Sequence, residues 1–288
     1  MYYSGKTKVL GILGCPVAHS LSPAMQNAAL KAAGLNFLYV PLPTAPENLA
    51  AAVMGLRAMN FRGFNVTIPH KTSIMTLLDK IDDSAKSIGA VNTVVNDNGQ
   101  LIGYNTDADG FMQALLKTGF SPNNKSAVVL GAGGAAKAVV HSLRREGMQV
   151  TIGARNADKA ANLAEHFGNA TGSNRTQIAG YNWQTAEFTA ALKTAALVVN
   201  TTPLGMEPQI DAMPPVDLHN LSQHAIIYDV IYTPSETRLL KEAAALGHVT
   251  LNGEAMLVGQ GATAFRLWTG IEPDRELMTK VLRHELSR

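Results

Sequence analysis

The sequence predicts an α/β protein of two domains, one on a mixed, mainly parallel sheet and one on a doubly wound parallel sheet. Three observations carry this. The chain has 288 residues, 46% hydrophobic and 16% charged, enough apolar material for two cores and too little charge for disorder. Short apolar runs alternate with helix-forming runs along most of its length. One stretch, Ser126–Lys137 (SAVVLGAGGAAK), reads without a break as strand, tight turn and helix.

In chain order, Lys8–Gly14 reads as a first buried strand, followed by the loop Cys15–Leu21. Ser22 precedes Pro23 as an expected N-cap of a helix to about Ala33, with Gly34 as its stop. Phe37–Leu42 is a strand, Glu47–Met59 a helix and Gly63–Thr67 a strand, with a helix over Lys71–Leu78. Gly89–Asn96, the turn Asp97-Asn98-Gly99 and Gln100–Asn105 read as a hairpin. Thr106 or Asp107 caps a helix over Ala108–Thr118. The antiparallel pair makes this first sheet mixed.

A polar, turn-rich linker, Gly119–Lys125, leads into strict alternation. Strands are expected at Val128–Gly131, Val150–Gly153, Ala196–Asn200 and Ile226–Val230, with a weaker one near Arg175–Ala179. Helices are expected at Ala135–Arg145, Asp158–Phe167 and Thr237–Leu246. That is the pattern of a Rossmann-type doubly wound sheet. Met256–Thr269 and Arg275–His284 read as helices that return to the first domain. The expected domains are residues 1–106 plus 253–288, and 107–252.

Net charge is +2 with no basic block, which argues against nucleic acid or a membrane surface as partner. A single cysteine, Cys15, makes no internal disulfide and suits a reducing cytoplasm. No run reads as a signal peptide or a membrane span. The His and Cys spacing suggests no metal site.

The glycine turn points to a dinucleotide. Gly131 allows the sharp turn, Gly133 lets backbone approach a diphosphate, and Ala136 permits close helix packing. The helix N-terminus offers free N–H groups to phosphates. Past the second strand, where an NAD site wants an acid, the chain has Ala154-Arg155-Asn156. A guanidinium grips a 2′-phosphate, so NADP is favoured, with NAD as second choice. Asn200–Met206 follows a strand on the same sheet edge, where Met206 can pack on the cofactor.

Lys71, at a strand end, is the general-acid candidate, and Asp107 is its natural partner or a helix cap. Ser20 and Ser22 can bind a carboxylate. Thr67, Asn92 and Gln260, polar groups within apolar runs, are structural bridges or substrate contacts. His19, His70 and His224 read as ordinary loop or helix-end residues.

The motifs Ser20–Asn27, Asn65–Lys71, Gly89–Thr93, Gly103–Asp107, Gly131–Ala135, Asn200–Met206, Asp229–Pro234 and Gly259–Ala262 occur in the order seen in shikimate dehydrogenases, and the chain resembles that family over nearly its whole length. The resemblance implies NADPH-dependent, reversible reduction of 3-dehydroshikimate to shikimate in aromatic amino-acid biosynthesis. It implies Lys71 and Asp107 as the catalytic pair. Ser20, Ser22, Thr67, Lys71, Asn92, Asp107, Tyr232 and Gln260 are then the substrate contacts. The residues expected at the cofactor are Gly131, Ala132, Gly133, Gly134, Ala135, Ala154, Arg155, Asn156, Thr201, Thr202, Met206, Val230 and Gly253. The family's usual Asn-Arg-Thr or Asn-Arg-Ser is altered around Arg155, which loosens the NADP assignment. A quinate/shikimate dehydrogenase using NAD, and a non-catalytic dinucleotide sensor, are the alternatives. A cytoplasmic monomer or homodimer acting on small molecules is expected.

Overall fold

The structure, a computed structural model, describes residues 3–168 and 177–287. It comprises two compact units, Met1–Gly110 with Val258–Arg288, and Phe111–Leu257.

The first unit opens with β1 (Lys8–Gly14), α1 (Ser22–Ala32), β2 (Phe37–Pro43), α2 (Leu49–Ala58) and β3 (Gly63–Val66). It continues with β4 (Lys80–Ile81), α3 (Asp83–Ile88), β5 (Thr93–Asp97), β6 (Gln100–Tyr104) and the start of α4 (Asp107–Leu116). The sheet order is β2-β1-β3-β5-β6-β4. Strand β1, apolar on both faces, lies parallel between β2 and β3. Strand β2 is an edge strand, and its Pro41 and Pro43 suit that place. Strand β5 runs antiparallel to β3 and to β6. Its hairpin turns at Asn98 and Gly99, both at positive φ (52° and 92°), as an Asn-Gly turn requires.

Some expectations need correction. Lys71–Leu78 is not an α-helix but a 3-10 turn, Ser73–Leu77. The β-branched Ile74 and Thr76 lower the helix propensity of this stretch slightly. Gly89–Asn92 is not strand: Gly89, at φ 69°, ends α3, a helix capped at its start by the Asp82 carboxylate. Glu47 lies in a 3-10 turn, Pro46–Asn48, ahead of α2.

The second unit holds β7 (Ser126–Leu130), α5 (Gly134–Arg145), β8 (Gln149–Ala154), α6 (Ala157–Gly168), β9 (Ile178–Asn182) and α7 (Ala186–Thr194). Then come β10 (Leu197–Asn200), β11 (Ile226–Asp229), α8 (Arg238–Ala245) and β12 (Val249–Leu251). All pairs are parallel in the order β12-β11-β10-β7-β8-β9. Numbered from β7, this is the 3-2-1-4-5-6 order of a dinucleotide-binding sheet. The weak strand is β9; Arg175 and Thr176, in its expected span, lie outside the described residues. Val128, Leu130, Phe188 and Val198 pack on one face, and Val129, Val139, Ile152 and Val199 on the other.

Helix α9 (Glu254–Thr269) and then α10 (Arg275–Leu286) end the chain. From Val258 onward these residues belong to the first unit. The Trp268 indole donates to the Val94 carbonyl at 2.9 Å. A Cβ on Gly63 would lie 2.3 Å from that indole nitrogen, so a glycine is required there. Among the described residues no helix is long and apolar enough to cross a membrane.

Candidate active site and nucleotide edge

In the first unit, strand direction decides what meets. Because β5 is antiparallel to β3, Asn65 pairs with Thr93, so Asn92 lies at the C-terminal end of β3. Because β6 is antiparallel to β5, Thr93 pairs with Tyr104, bringing Asn105–Asp107 to the same edge. The loop after β1 emerges there too, and Thr67 donates its N–H to the Leu13 carbonyl. The Thr67 methyl occupies the space a Cβ on Gly14 would need, 2.3 Å away.

Lys71 and Asp107 form an ion pair at this edge, Nζ to Oδ2 2.5 Å, with side chains 17% and 8% exposed. The Asn92 amide donates to Asp107 Oδ1 at 2.8 Å and Thr106 Oγ1 at 3.0 Å, and its oxygen accepts the Thr106 N–H at 2.8 Å. Both ends of the Asn92 amide are therefore assigned: only its NH₂ can face a carboxylate. Val91 N–H donates to the Lys71 carbonyl at 2.7 Å. His70, buried, contacts the Thr44 carbonyl through Nε2 at 2.7 Å and anchors the segment before Lys71.

Ser22 does not cap α1. Leu21 holds the cap position without a side-chain bond, and Ser22 is already helical and buried. Its N–H is accepted by Ser20 Oγ at 3.3 Å, so the hydroxyl before it does the local turn work. Ser22 instead lies near the Tyr39 phenol, whose pKa burial pushes well above its usual range. Tyr39 donates to Asn65 Oδ1 at 2.7 Å, and Asn65 donates to the Asn92 carbonyl at 3.1 Å. Gln260 is buried on α9, next to Gly261, whose carbonyl accepts from Gln26 at 2.9 Å. Direct bonds thus join Lys71, Asp107 and Asn92, and separately Ser20 and Ser22. Tyr232 belongs to the second unit.

The second unit presents a different edge. Gly131 has φ 110° and a Cβ there would lie 2.7 Å from Thr201 Oγ1, so only glycine fits. Gly133 precedes α5 with no side-chain cap, and a Cβ on it would meet nothing within 4 Å. Open space before a helix N-terminus without a side-chain cap fits a diphosphate. Ala136 is fully buried, as close helix packing requires. Ala154 ends β8, Arg155 is exposed, and Asn156 Oδ1 accepts the Lys159 N–H at 2.9 Å, starting α6. An exposed guanidinium at that strand end fits a 2′-phosphate.

Thr201 donates to the Leu130 carbonyl at 2.6 Å and Thr202 to Asn200 Oδ1 at 2.7 Å, so both hydroxyls hold the loop itself. Met206 and Val230 are partly exposed. A Cβ on Gly253 would lie 2.1 Å from the Val230 carbonyl, and its N–H donates to the Ile231 carbonyl at 2.8 Å. Sequence reasoning missed Tyr39, Asn65 and Asp229 as individual residues. The signal was present for one of them, an acid closing the apolar strand Ile226–Asp229. Among the described residues no group of three or more His, Cys, Asp or Glu side chains gathers to hold a metal.

Family models match in three stretches. The shikimate dehydrogenase substrate binding domain matches residues 12–94, a shikimate / quinate 5-dehydrogenase model residues 114–198, and the shikimate 5′-dehydrogenase C-terminal domain residues 253–283. A Carboxydothermus hydrogenoformans protein named shikimate dehydrogenase (NADP(+)) is 44% identical over 285 residues, covering 98% of this chain and 99% of its own. A Geobacter metallireducens protein of the same name is 46% identical over 290 residues, covering 100% of both. A crystal structure of a shikimate dehydrogenase in complex with NADP+ is 41% identical with a TM-score of 0.92, covering 100% of this chain and 98% of that one. The chain belongs to the shikimate dehydrogenase family.

Proposed function

We propose that this chain is an NADP-dependent oxidoreductase that reduces 3-dehydroshikimate to shikimate, reversibly, in aromatic amino-acid biosynthesis. The observation that carries this is the Lys71–Asp107 pair at 2.5 Å on the loop edge of the first sheet. NADPH, when bound, supplies a hydride for the ring ketone. Lys71 delivers the proton to the oxygen that gains negative charge, and its ammonium stabilises that charge as it develops. Asp107 accepts from Lys71 on one oxygen and from Asn92 on the other, which gives the ammonium one orientation.

Ser20, Ser22, Thr67, Asn92, Gln260 and Tyr232 are the proposed contacts to the substrate's carboxylate and hydroxyls, with Lys71 and Asp107 beside them. On the nucleotide, Gly131–Ala135 would hold the diphosphate, and Ala154, Arg155 and Asn156 the 2′-phosphate. Thr201, Thr202, Met206, Val230 and Gly253 would line the remainder. Relatives named for NADP(+) support NADP over NAD. The same reading makes the enzyme cytoplasmic, a monomer or homodimer, with small molecules as partners.

Initial rates with shikimate and with quinate, each with NADP+ and NAD+, test the reading. Shikimate with NADP+ should have the largest kcat/KM. A larger value for quinate with NAD+ replaces the proposed substrate and cofactor. Binding of NADP+ with no turnover of either acid leaves a sensor instead.

A further inference from the structure

In the second unit, two loops meet on one carboxylate that the proposed chemistry does not use. Asp229 closes β11 and is 0% exposed. Its Oδ1 accepts from the Asn200 amide at 3.0 Å and the Ile231 N–H at 3.1 Å. Its Oδ2 accepts the hydroxyl of Thr237, the N-cap of α8, at 2.8 Å. Asn200 in turn shapes its own loop. Its amide also donates to the Leu204 carbonyl at 3.3 Å, and its oxygen accepts from Thr202 N–H at 3.0 Å and Thr202 Oγ1 at 2.7 Å.

Residues 201–206 and 230–237 are therefore tied to a single group. Among the described residues no cation forms an ion pair with it. Burial pushes its pKa up to about 6, against three donors that favour the charged form. A buried carboxylate without a counter-ion is an unfavourable choice for a purely structural junction, where an amide would do. Its advantage is strength, because bonds to a charged acceptor are about twice as strong as neutral ones.

We propose that Asp229 is the positioning residue of the nucleotide edge, holding the Met206 and Val230 loops in the geometry that binds NADP+. The proposal rests on the function proposed above. Calorimetric titration tests it, with NADP+ and shikimate titrated separately into wild type, Asp229→Ala, Asp229→Asn and Thr237→Val. Melting temperatures are taken on the same samples. Asp229→Ala should raise the Kd for NADP+ about tenfold or more, and Asp229→Asn and Thr237→Val about threefold each, with the shikimate Kd within about twofold.

A merely structural junction would lower the melting temperature of Asp229→Ala and leave the NADP+ Kd alone. That result, or NADP+ and shikimate affinities falling together, overturns the proposal. If Asp229→Ala does not fold, the Asn and Val variants decide it by the same two constants. A wild type that binds neither NADP+ nor NAD+ overturns the proposed function and this inference with it. A wild type that binds NADP+ as tightly as its variants overturns this inference alone.

Discussion

The loop edges of the two sheets are built in opposite ways. In the first unit, side chains face one another: Lys71, Asp107, Asn92 and Thr106 are joined by short bonds. In the second, side chains turn inward to hold backbone, as Thr201, Thr202, Asn200 and Asp229 do. What that edge offers outward is Gly133, open space and a helix N-terminus. The difference follows from the tasks proposed for each. Moving a proton needs a titratable side chain held in one orientation. Holding a diphosphate needs room and N–H groups, which glycine and a helix start provide.

The comparison breaks first, if it breaks, at Lys71. Lys71→Ala should lower kcat for shikimate oxidation about 10²- to 10⁴-fold with a much smaller change in KM, read from steady-state rates. An unchanged kcat would remove the first edge from the chemistry.

The next largest effect concerns the buried carboxylate. The folded pKa of Asp229, about 6, lies above its ordinary 3.8, so the charged form is disfavoured by folding. Stability from this group is complete below pH 3.8 and is lost as pH rises through 6. The loss is about 3 kcal/mol at 1.36 kcal/mol per unit. Urea unfolding across that range should show Asp229→Asn gaining about that much on wild type as pH rises. A pH-independent difference would mean the carboxylate is not desolvated as its burial implies.

Arg155→Ala should raise KM for NADP+ about 10- to 100-fold and leave NAD+ nearly unchanged. Equal effects on both would take Arg155 out of the phosphate site. The smallest effect belongs to Tyr39, which sits behind Ser22. Tyr39→Phe should raise KM for shikimate about threefold through one lost hydrogen bond, with KM for NADP+ unmoved. Parallel rises would assign Tyr39 to general stability instead.

Much of this architecture was legible because the residues carry local instructions. Asn98-Gly99 can hardly be anything but a hairpin turn, and Gly131 with its strand and helix announces a nucleotide edge. Short pieces were harder. The helix Asp83–Ile88 is too brief to show a period, and the two-residue strand Lys80–Ile81 has none. Ser22 misled because Ser-Pro is a good cap signal, yet the chain had already entered the helix at Leu21. Lys71 and Asp107 could be named as partners, but their 2.5 Å contact depends on an antiparallel strand between them. The bond between Tyr39 and Asn65 gave no sign, because two polar groups far apart in sequence become partners only through pairing of strands.

Trp268 has a consequence for the order in which the molecule is made. Its indole fills the space over Gly63 and bonds to Val94, so the sheet of the first unit lacks a wall until residue 268 exists. The second unit is continuous in sequence and complete by Leu257. During synthesis from the N-terminus, the nucleotide-edge unit can close as one piece. The unit begun first is the last to be finished.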